Sequence, residues 1–301
     1  MTRFFITGGS SSIGQCAIRQ LIARGCDVTA LMHRKPLPCG LPVETISGSI
    51  LDPKTYSAAV RDAQVILHLA GLSHSDVRQQ YIDVNTEGTH RLLGVCAPTA
   101  FFVYLSTRCA HSDGGAYAES KLRAEQSVIS SGLRYAIVRP AEVYGTNGDE
   151  GIDRMLQFSL RYRIVLDFRY NGSVAYAPIS ADEVAEFLVE AALHPCRDKA
   201  VYTLCAERSW SATDICRELT LIRRCRHFVL PISIRWLKVL LKMQIRMPFK
   251  YDQIERLIIN KSNDLSSAHT DYGFNPRPFY NYLYTLIDSW RAKKRSAKII
   301  L

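Results

Sequence analysis

Apolar positions in the first half of the chain come in short unbroken runs, and helical spacing follows each run. Arg3-Phe4-Phe5-Ile6-Thr7 reads as a buried strand, and Gln15 to Ala23 carries Ala17, Ile18, Leu21 and Ile22 on one helical face. Asp27 to Met32, Val65 to Ala70, Phe102 to Leu105 and the segment ending Val138-Arg139-Pro140 repeat the strand signal, and the alternation persists to Gly145. Continuous apolar strands separated by helices predict an α/β protein with a doubly wound parallel sheet covered on both faces. Beyond Gly145 the regularity stops at a polar, glycine-bearing loop, Thr146 to Glu150. The prediction is a core over 1–150 and a smaller C-terminal substrate lobe over 151–301. A late helix and strand, about 179–205, should return to the core, with Ser180 or Asp182 capping the helix. Ser211 starts a further helix, Pro231 to Met243 is apolar and basic, Tyr251 to Ile259 reads as helical, and a last helix covers about Asn281 to Arg291.

The first strand runs straight into Gly8-Gly9-Ser10-Ser11-Ser12-Ile13-Gly14. Strand, glycine-rich turn and helix together are the context of a Rossmann-like dinucleotide site, in which loop N–H groups and the helix N-terminus hold a pyrophosphate. Gly8 and Gly14 take the outer glycine positions, and Ser11 stands where a middle glycine is expected. An NAD-selective site ends its second strand with an acid that accepts from the ribose hydroxyls. Here Met32-His33-Arg34-Lys35 offers none, and His33 and Arg34 would welcome a 2′-phosphate. The expected cofactor is therefore NADP, with NAD as the alternative.

Chemistry is concentrated in Ala116-Tyr117-Ala118-Glu119-Ser120-Lys121. On a helix Tyr117 and Lys121 share one face, and a cation beside a phenol favours the phenolate, which suits a proton donor and acceptor near neutral pH. With the turn before it, this segment gives the chain a resemblance to the extended short-chain dehydrogenase/reductases, in the epimerase and reductase branch acting on nucleotide-linked sugars. The resemblance runs from Thr7 to about Pro278. It implies that Thr107, Tyr117 and Lys121 are catalytic. It also implies that Gly8, Ser11, Ser12, Ile13 and Gly14 hold the phosphates, Ile50 lines the adenine, and Leu69, Ala70 and Gly71 form the nicotinamide-side turn. Asn85 supports the site from an Asn-x-x-Gly-Thr helix opening, and Pro140, with Tyr117 and Lys121, completes the cofactor set. Asp271-Tyr272-Gly273-Phe274-Asn275-Pro276 resembles the family's Leu-Gly-Phe-x-Pro ending. Two departures are Ser49, where the family usually has Asp, and the short interval of ten positions from Thr107 to Tyr117. Arg154, Arg169 and Arg277 are candidates for a sugar diphosphate, and Arg139 reads as structural.

The resemblance implies an NADP(H)-dependent 4-keto reductase or epimerase of a nucleotide-linked sugar, with a place in surface polysaccharide biosynthesis, working as a homodimer. The basic end of the second strand and the serine in the turn favour an exchangeable cofactor, hence a reductase. Two alternatives stand beside it: a catalytically weak cofactor-binding scaffold, and a reductase of a hydrophobic carbonyl substrate with Ile232 to Met243 lining its pocket.

Composition adds bounds. The chain has 301 residues, 47% of them hydrophobic, with no apolar run long enough to span a bilayer. The strand begins too early for a signal peptide, and nine scattered cysteines read as reduced thiols, so the expected location is the cytoplasm. Neither these cysteines nor the eight histidines form a metal-ligand pattern, and His68 in its apolar strand reads as a hydrogen-bonded core residue. A net charge of +10 is accompanied by no nucleic-acid motif. Its densest part, the tail Arg291 to Lys298 followed by Ile299-Ile300-Leu301, is a candidate for membrane-surface contact.

Overall fold

The computed structural model describes residues 1–38, 41–146, 151–243 and 250–299. They fall into two units. The first holds residues 1–141, 181–204 and 249–274, and the second holds 142–180, 205–248 and 275–301.

The first unit is built on β1 (Arg3–Thr7), β2 (Asp27–Met32), β3 (Glu44–Ser47), β4 (Val65–His68), β5 (Phe101–Leu105), β6 (Arg134–Pro140) and β10 (Lys199–Leu204). They form one sheet in the order β10-β6-β5-β4-β1-β2-β3, with every neighbouring pair parallel. The chain starts at β1, winds outward through β2 and β3, then returns to the other side of β1 at β4. The reversal lies between β1 and β4, and a crevice at the carboxyl ends of those strands is where such sheets bind ligands. Side chains alternate between two covered faces. Phe5, Ile66, Phe102 and Tyr104 join Val60 of α2 (Ser57–Asp62), Leu92 of α4 (Gly88–Leu93), and Ala124 and Val128 of α5 (Gly115–Ser130) in one core cluster. On the opposite face α1 (Ser12–Ala23) packs against α7 (Ala181–Leu193). Between β4 and α4 lie the short α3 (Arg78–Tyr81) and a π-helical turn, Ile82–Glu87.

Two assignments differ from the sequence reading. The first unit ends at Ala141 and takes back 249–274, which holds α10 (Tyr251–Ile258) and α11 (Ser266–Tyr272). In α11, Asp271 accepts from Tyr202 of β10 at 2.9 Å and pairs with Arg197 at 2.7 Å, so the segment is tied to the sheet's edge. The last helix, α12 (Phe279–Ile299), is longer than 281–291.

The second unit contains β7 (Val143–Tyr144) paired with β9 (Ile179–Ser180), and β8 (Ile164–Arg169) paired with β11 (Phe228–Ser233). Its helices are α6 (Gly151–Tyr162), α8 (Ala212–Arg223), α9 (Ile234–Lys242) and α12. Ser211 caps α8 through a reciprocal bond pair with Asp214. Buried Asp153 accepts from Thr146 N–H at 2.7 Å and from the Tyr282 hydroxyl at 2.7 Å, which anchors β7 to α6 and α12. Residues 147–150 of the expected loop lie outside the described residues. So do the side chains of the basic tail from 294 onward, where membrane contact is expected.

Candidate active site

The turn after β1 is fixed by glycines for steric reasons. Gly8 has φ 74°, and a Cβ there would stand 2.6 Å from the Ala70 nitrogen, against the end of β4. A Cβ on Gly14 would stand 2.4 Å from the Gly8 oxygen. Ser11 is extended, at φ −71°, and needs no glycine. It is the N-cap of α1: its hydroxyl donates to the Gly8 carbonyl at 2.9 Å and accepts the Gly14 N–H at 3.0 Å. Ser12 and Ile13 form the first turn, which carries no acidic side chain to oppose an anion. His33 and Arg34 are exposed just past β2. Ile50 is buried against Gly88, the first residue of α4.

Beneath the crevice runs a chain of neutral hydrogen bonds. Thr7 Oγ1 meets His68 Nδ1 at 2.6 Å, and His68 Nε2 meets Thr89 Oγ1 at 2.9 Å. The Thr89 hydroxyl donates to the Asn85 carbonyl at 2.6 Å. Thr89 must therefore accept from Nε2–H, which leaves Nδ1 to accept from Thr7. Thr7 Oγ1 in turn accepts the Ala70 N–H at 3.1 Å, so β1, β4 and the π-helical turn are locked at the position of the expected nicotinamide-side turn Leu69-Ala70-Gly71. Burial, with a smaller push from the Lys121 charge, takes His68 down to about 3, so the ring stays neutral.

Around that chain the structure assembles the polar groups of α5. Lys121 Nζ donates to the Leu105 carbonyl at 2.7 Å, lies 4.2 Å over the Tyr104 ring, and would stand 3.7 Å from a Cβ on Gly71. It is 3% exposed; burial takes its ammonium from 10.5 down to about 7, against the opposing pull of Glu125. Asn85 bonds both polar groups of Leu72, at 2.7 and 3.1 Å, and donates to Ser120 Oγ at 2.9 Å; Ser120 then donates to the Tyr117 carbonyl. Single π-helical turns of this kind occur frequently at functional sites.

Strand phase separates the two hydroxyls after β5. Ser106 is spent on buried Glu125, which is also bound bidentately by Arg139. Thr107, two residues beyond Leu105, accepts Cys109 N–H at 3.2 Å. Pro140, at the end of β6, accepts Arg108 N–H through its carbonyl. Lys121, Asn85, Gly71 and the end of β5 are thus brought together, with Thr107 and Tyr117 on the segments either side of that junction. His33 and Arg34 follow β2, which lies across β1 from β4 and β5.

Some groups were not singled out by sequence reasoning. Asp252 Oδ1 of α10 accepts Tyr117 N–H at 3.0 Å, and the Arg256 guanidinium lies 4.3 Å from the centre of the Tyr117 ring. Their separation from Tyr117 along the chain left no local pattern. Of the diphosphate candidates, Arg169 is held by buried Asp167 at 2.6 Å. In Ile232 to Met243, Ile234 and Leu237 are buried and Trp236, Val239 and Met243 are exposed.

Residues 4–205 match the model of the NAD dependent epimerase/dehydratase family. The chain is 24% identical to a 3-beta-hydroxysteroid dehydrogenase of Mycolicibacterium neoaurum over 91% of its own length and 87% of that protein. It is 26% identical to an uncharacterised protein of Mycobacterium tuberculosis over 68% of its own length, a match that spans only 22% of that longer protein. Among solved structures it is similar to the dTDP-glucose 4,6-dehydratase DesIV of Streptomyces venezuelae with NAD and TYD bound, with a TM-score of 0.75, 18% identity and 97% of both chains covered. At that identity the likeness is one of fold.

Proposed function

Because the chain belongs to the NAD-dependent epimerase/dehydratase family, and is thus an NAD(P)-dependent oxidoreductase or epimerase, we propose that it is an NADPH-using 4-keto reductase of a nucleotide-linked sugar, serving surface polysaccharide assembly. The observation that carries the reading is the junction of β5, α5 and the π-helical turn, where Lys121 and Asn85 flank Gly71. The residues fit a dinucleotide. Gly8 and Gly14 let the turn lie flat against β4, Ser12 and Ile13 open an acid-free helix end, and Ile50 offers an apolar wall. Bound NADPH supplies the hydride.

The chain's own residues handle everything else. Thr107 orients the substrate oxygen by hydrogen bonding. Tyr117 gives that oxygen its proton. Lys121 holds the nicotinamide ribose and, when charged, favours the phenolate. Asn85 keeps the Gly71-Leu72 turn and the start of α5 in register. Two features support a released cofactor, and so a reductase over an epimerase. Ser11 consumes the Gly14 N–H that a glycine there would leave for phosphate, and the end of β2 is basic.

A second reading, reduction of a hydrophobic carbonyl, is favoured by the steroid dehydrogenase relative that matches along almost the whole chain. Nicotinamide absorbance with NADPH and with NADH, against a panel of nucleoside-diphospho-4-keto-hexoses and a panel of lipophilic ketones, separates the two. Turnover of a keto-sugar with NADPH, abolished in Tyr117→Phe while NADPH still binds, is the expected result. Turnover of ketones alone selects the second reading. Full activity in Tyr117→Phe removes the phenol's role, and silence on both panels with cofactor bound points to a scaffold.

A further inference from the structure

Tyr117 enters α5 in its first turn, and the groups that meet it there come from far along the chain. α10 lays Asp252 and Arg256 against that turn, one helical turn apart. Asp252 divides its carboxylate: Oδ1 accepts the Tyr117 N–H at 3.0 Å, and Oδ2 accepts from Arg256 at 2.6 Å. The guanidinium also donates to the Ser73 carbonyl at 3.1 Å and lies 4.3 Å from the centre of the Tyr117 ring. Approach this close needs Gly115. Its φ is 85°, and a Cβ there would stand 2.7 Å from Asp252 Oδ1 and 2.9 Å from Glu255 Oε2. The Arg256 and Asp252 side chains are only 16% and 12% exposed, so little solvent screens the contact.

We infer that Arg256, held in place by Asp252, is a positioning residue for Tyr117, whose phenolate it stabilises from the face of the ring. The inference rests on the reading of Tyr117 as proton donor. A cation over an aromatic face is attracted by the ring's electron density, and that attraction grows when the ring carries a negative charge. Among the described residues, Tyr117 meets Arg256 over its ring, Asp252 at its N–H, Tyr81 of α3 edge-on at 6.1 Å and, electrostatically, Tyr104 of β5, while Lys121 follows one turn on along its own helix and Glu255 lies against Gly115. Asp252 is taken up by a backbone N–H and by Arg256 itself. The two cations behave differently. Burial brings the Lys121 ammonium down to about 7, so its charge varies around neutrality. The Arg256 guanidinium lies over the ring itself, 4.3 Å from its centre, and is the cation in direct contact with Tyr117.

The test is a titration that needs no substrate. Near-ultraviolet tyrosinate absorbance is followed against pH for the wild type, Arg256→Met and Arg256→Lys, each paired with its own Tyr117→Phe counterpart. The difference within each pair isolates Tyr117 from the other tyrosines. Arg256→Met is expected to raise the Tyr117 midpoint by about one pH unit, and Arg256→Lys to bring it most of the way back to the wild-type value. NADPH binding measured by fluorescence on the same samples verifies the fold. An unchanged midpoint in Arg256→Met overturns the inference, as does an equal shift in Arg256→Lys, which would trace the effect to packing. Failure to find a substrate would count against the reaction proposed above without moving these midpoints.

Discussion

Lys121 is charged in the unfolded chain and resists charging in the folded one, and that difference is measurable as stability. Burial lowers its proton affinity from 10.5 to about 7. The sign follows from linkage. Below about pH 7 the ammonium is charged in both states and its burial penalty is complete. Between 7 and 10.5 the unfolded chain binds a proton that the folded chain releases, so stability climbs with pH. Above 10.5 both states are neutral and the penalty has gone. At 1.36 kcal/mol per pKa unit the full penalty is roughly 4–5 kcal/mol, of which about 2 kcal/mol is relieved between pH 7 and pH 9. Lys121→Met keeps the side chain's length and removes the titration. It also strips the Leu105 carbonyl of its donor, a pH-independent loss of about 1–3 kcal/mol. Urea denaturation of both proteins at pH 7, 8 and 9 therefore tests the argument through a difference in which all other titrations cancel. Stability of the wild type relative to Lys121→Met should rise by about 2 kcal/mol over that range. A difference that stays constant with pH would show that folding leaves the lysine's proton affinity untouched, and the argument from its burial would fail.

Other perturbations bear on separate parts of the site. Gly14→Ala drives a methyl to 2.4 Å from the Gly8 oxygen, so the turn must open; affinity for the nicotinamide dinucleotide should collapse, with stability down by about 1–3 kcal/mol in a thermal melt. His68 is held at about 3, below its unfolded value of 6.5, so its contribution is complete above pH 6.5 and is lost as pH falls toward 3. Replacing it in His68→Gln should flatten the acid limb of stability by about 2 kcal/mol between pH 7 and pH 5, read by denaturation at each pH. Ser106→Ala removes a hydroxyl bound to a buried carboxylate and should lower stability by about 1–3 kcal/mol while sparing kcat. Thr107→Val should do the reverse, so equal effects of the two on kcat would show that the hydroxyls have been assigned to the wrong sides of the strand.

The features legible in the sequence are those whose physics is local. β1 and β2 coincide with the predicted strands because an apolar run bounded by a glycine turn has few other ways to bury itself. Gly8 and Gly14 were recognisable because a Cβ at either would collide with backbone, a constraint that spacing alone expresses. Ser11 looked like a defect in the turn; in the structure its hydroxyl supplies the α1 cap, a role indistinguishable from a lost glycine until the Gly14 N–H is placed. What stayed hidden depends on contacts across long stretches of chain. Nothing local marks Asp252 and Arg256 as neighbours of Tyr117, since α10 is an ordinary amphipathic segment until it docks. Nothing in the sequence singles out Glu125, which is 1% exposed on α5 and bound by Arg139 of β6 and by Ser106 after β5. In the apolar stretch around Trp236, composition reports hydrophobicity without direction; the structure buries Ile234 and Leu237 and exposes Trp236.

Neutral groups and charged groups divide the work at the end of this sheet. The Thr7, His68, Thr89 and Asn85 chain is buried and uncharged, and each bond in it fixes the direction of the next. A network of this kind is rigid and insensitive to pH over the range in which His68 stays neutral. Glu125, the buried acid on α5, is bound by the Arg139 guanidinium, and its charge also reaches Lys121, whose proton affinity it raises. Of the cations on this side of the sheet, Lys121 titrates near neutrality and Arg256 lies over the Tyr117 ring. This arrangement allows a phenol to be tuned by a cation whose charge depends on what binds beside it. An anionic ligand settling near Lys121 would raise the lysine's proton affinity and restore its charge once the site is filled.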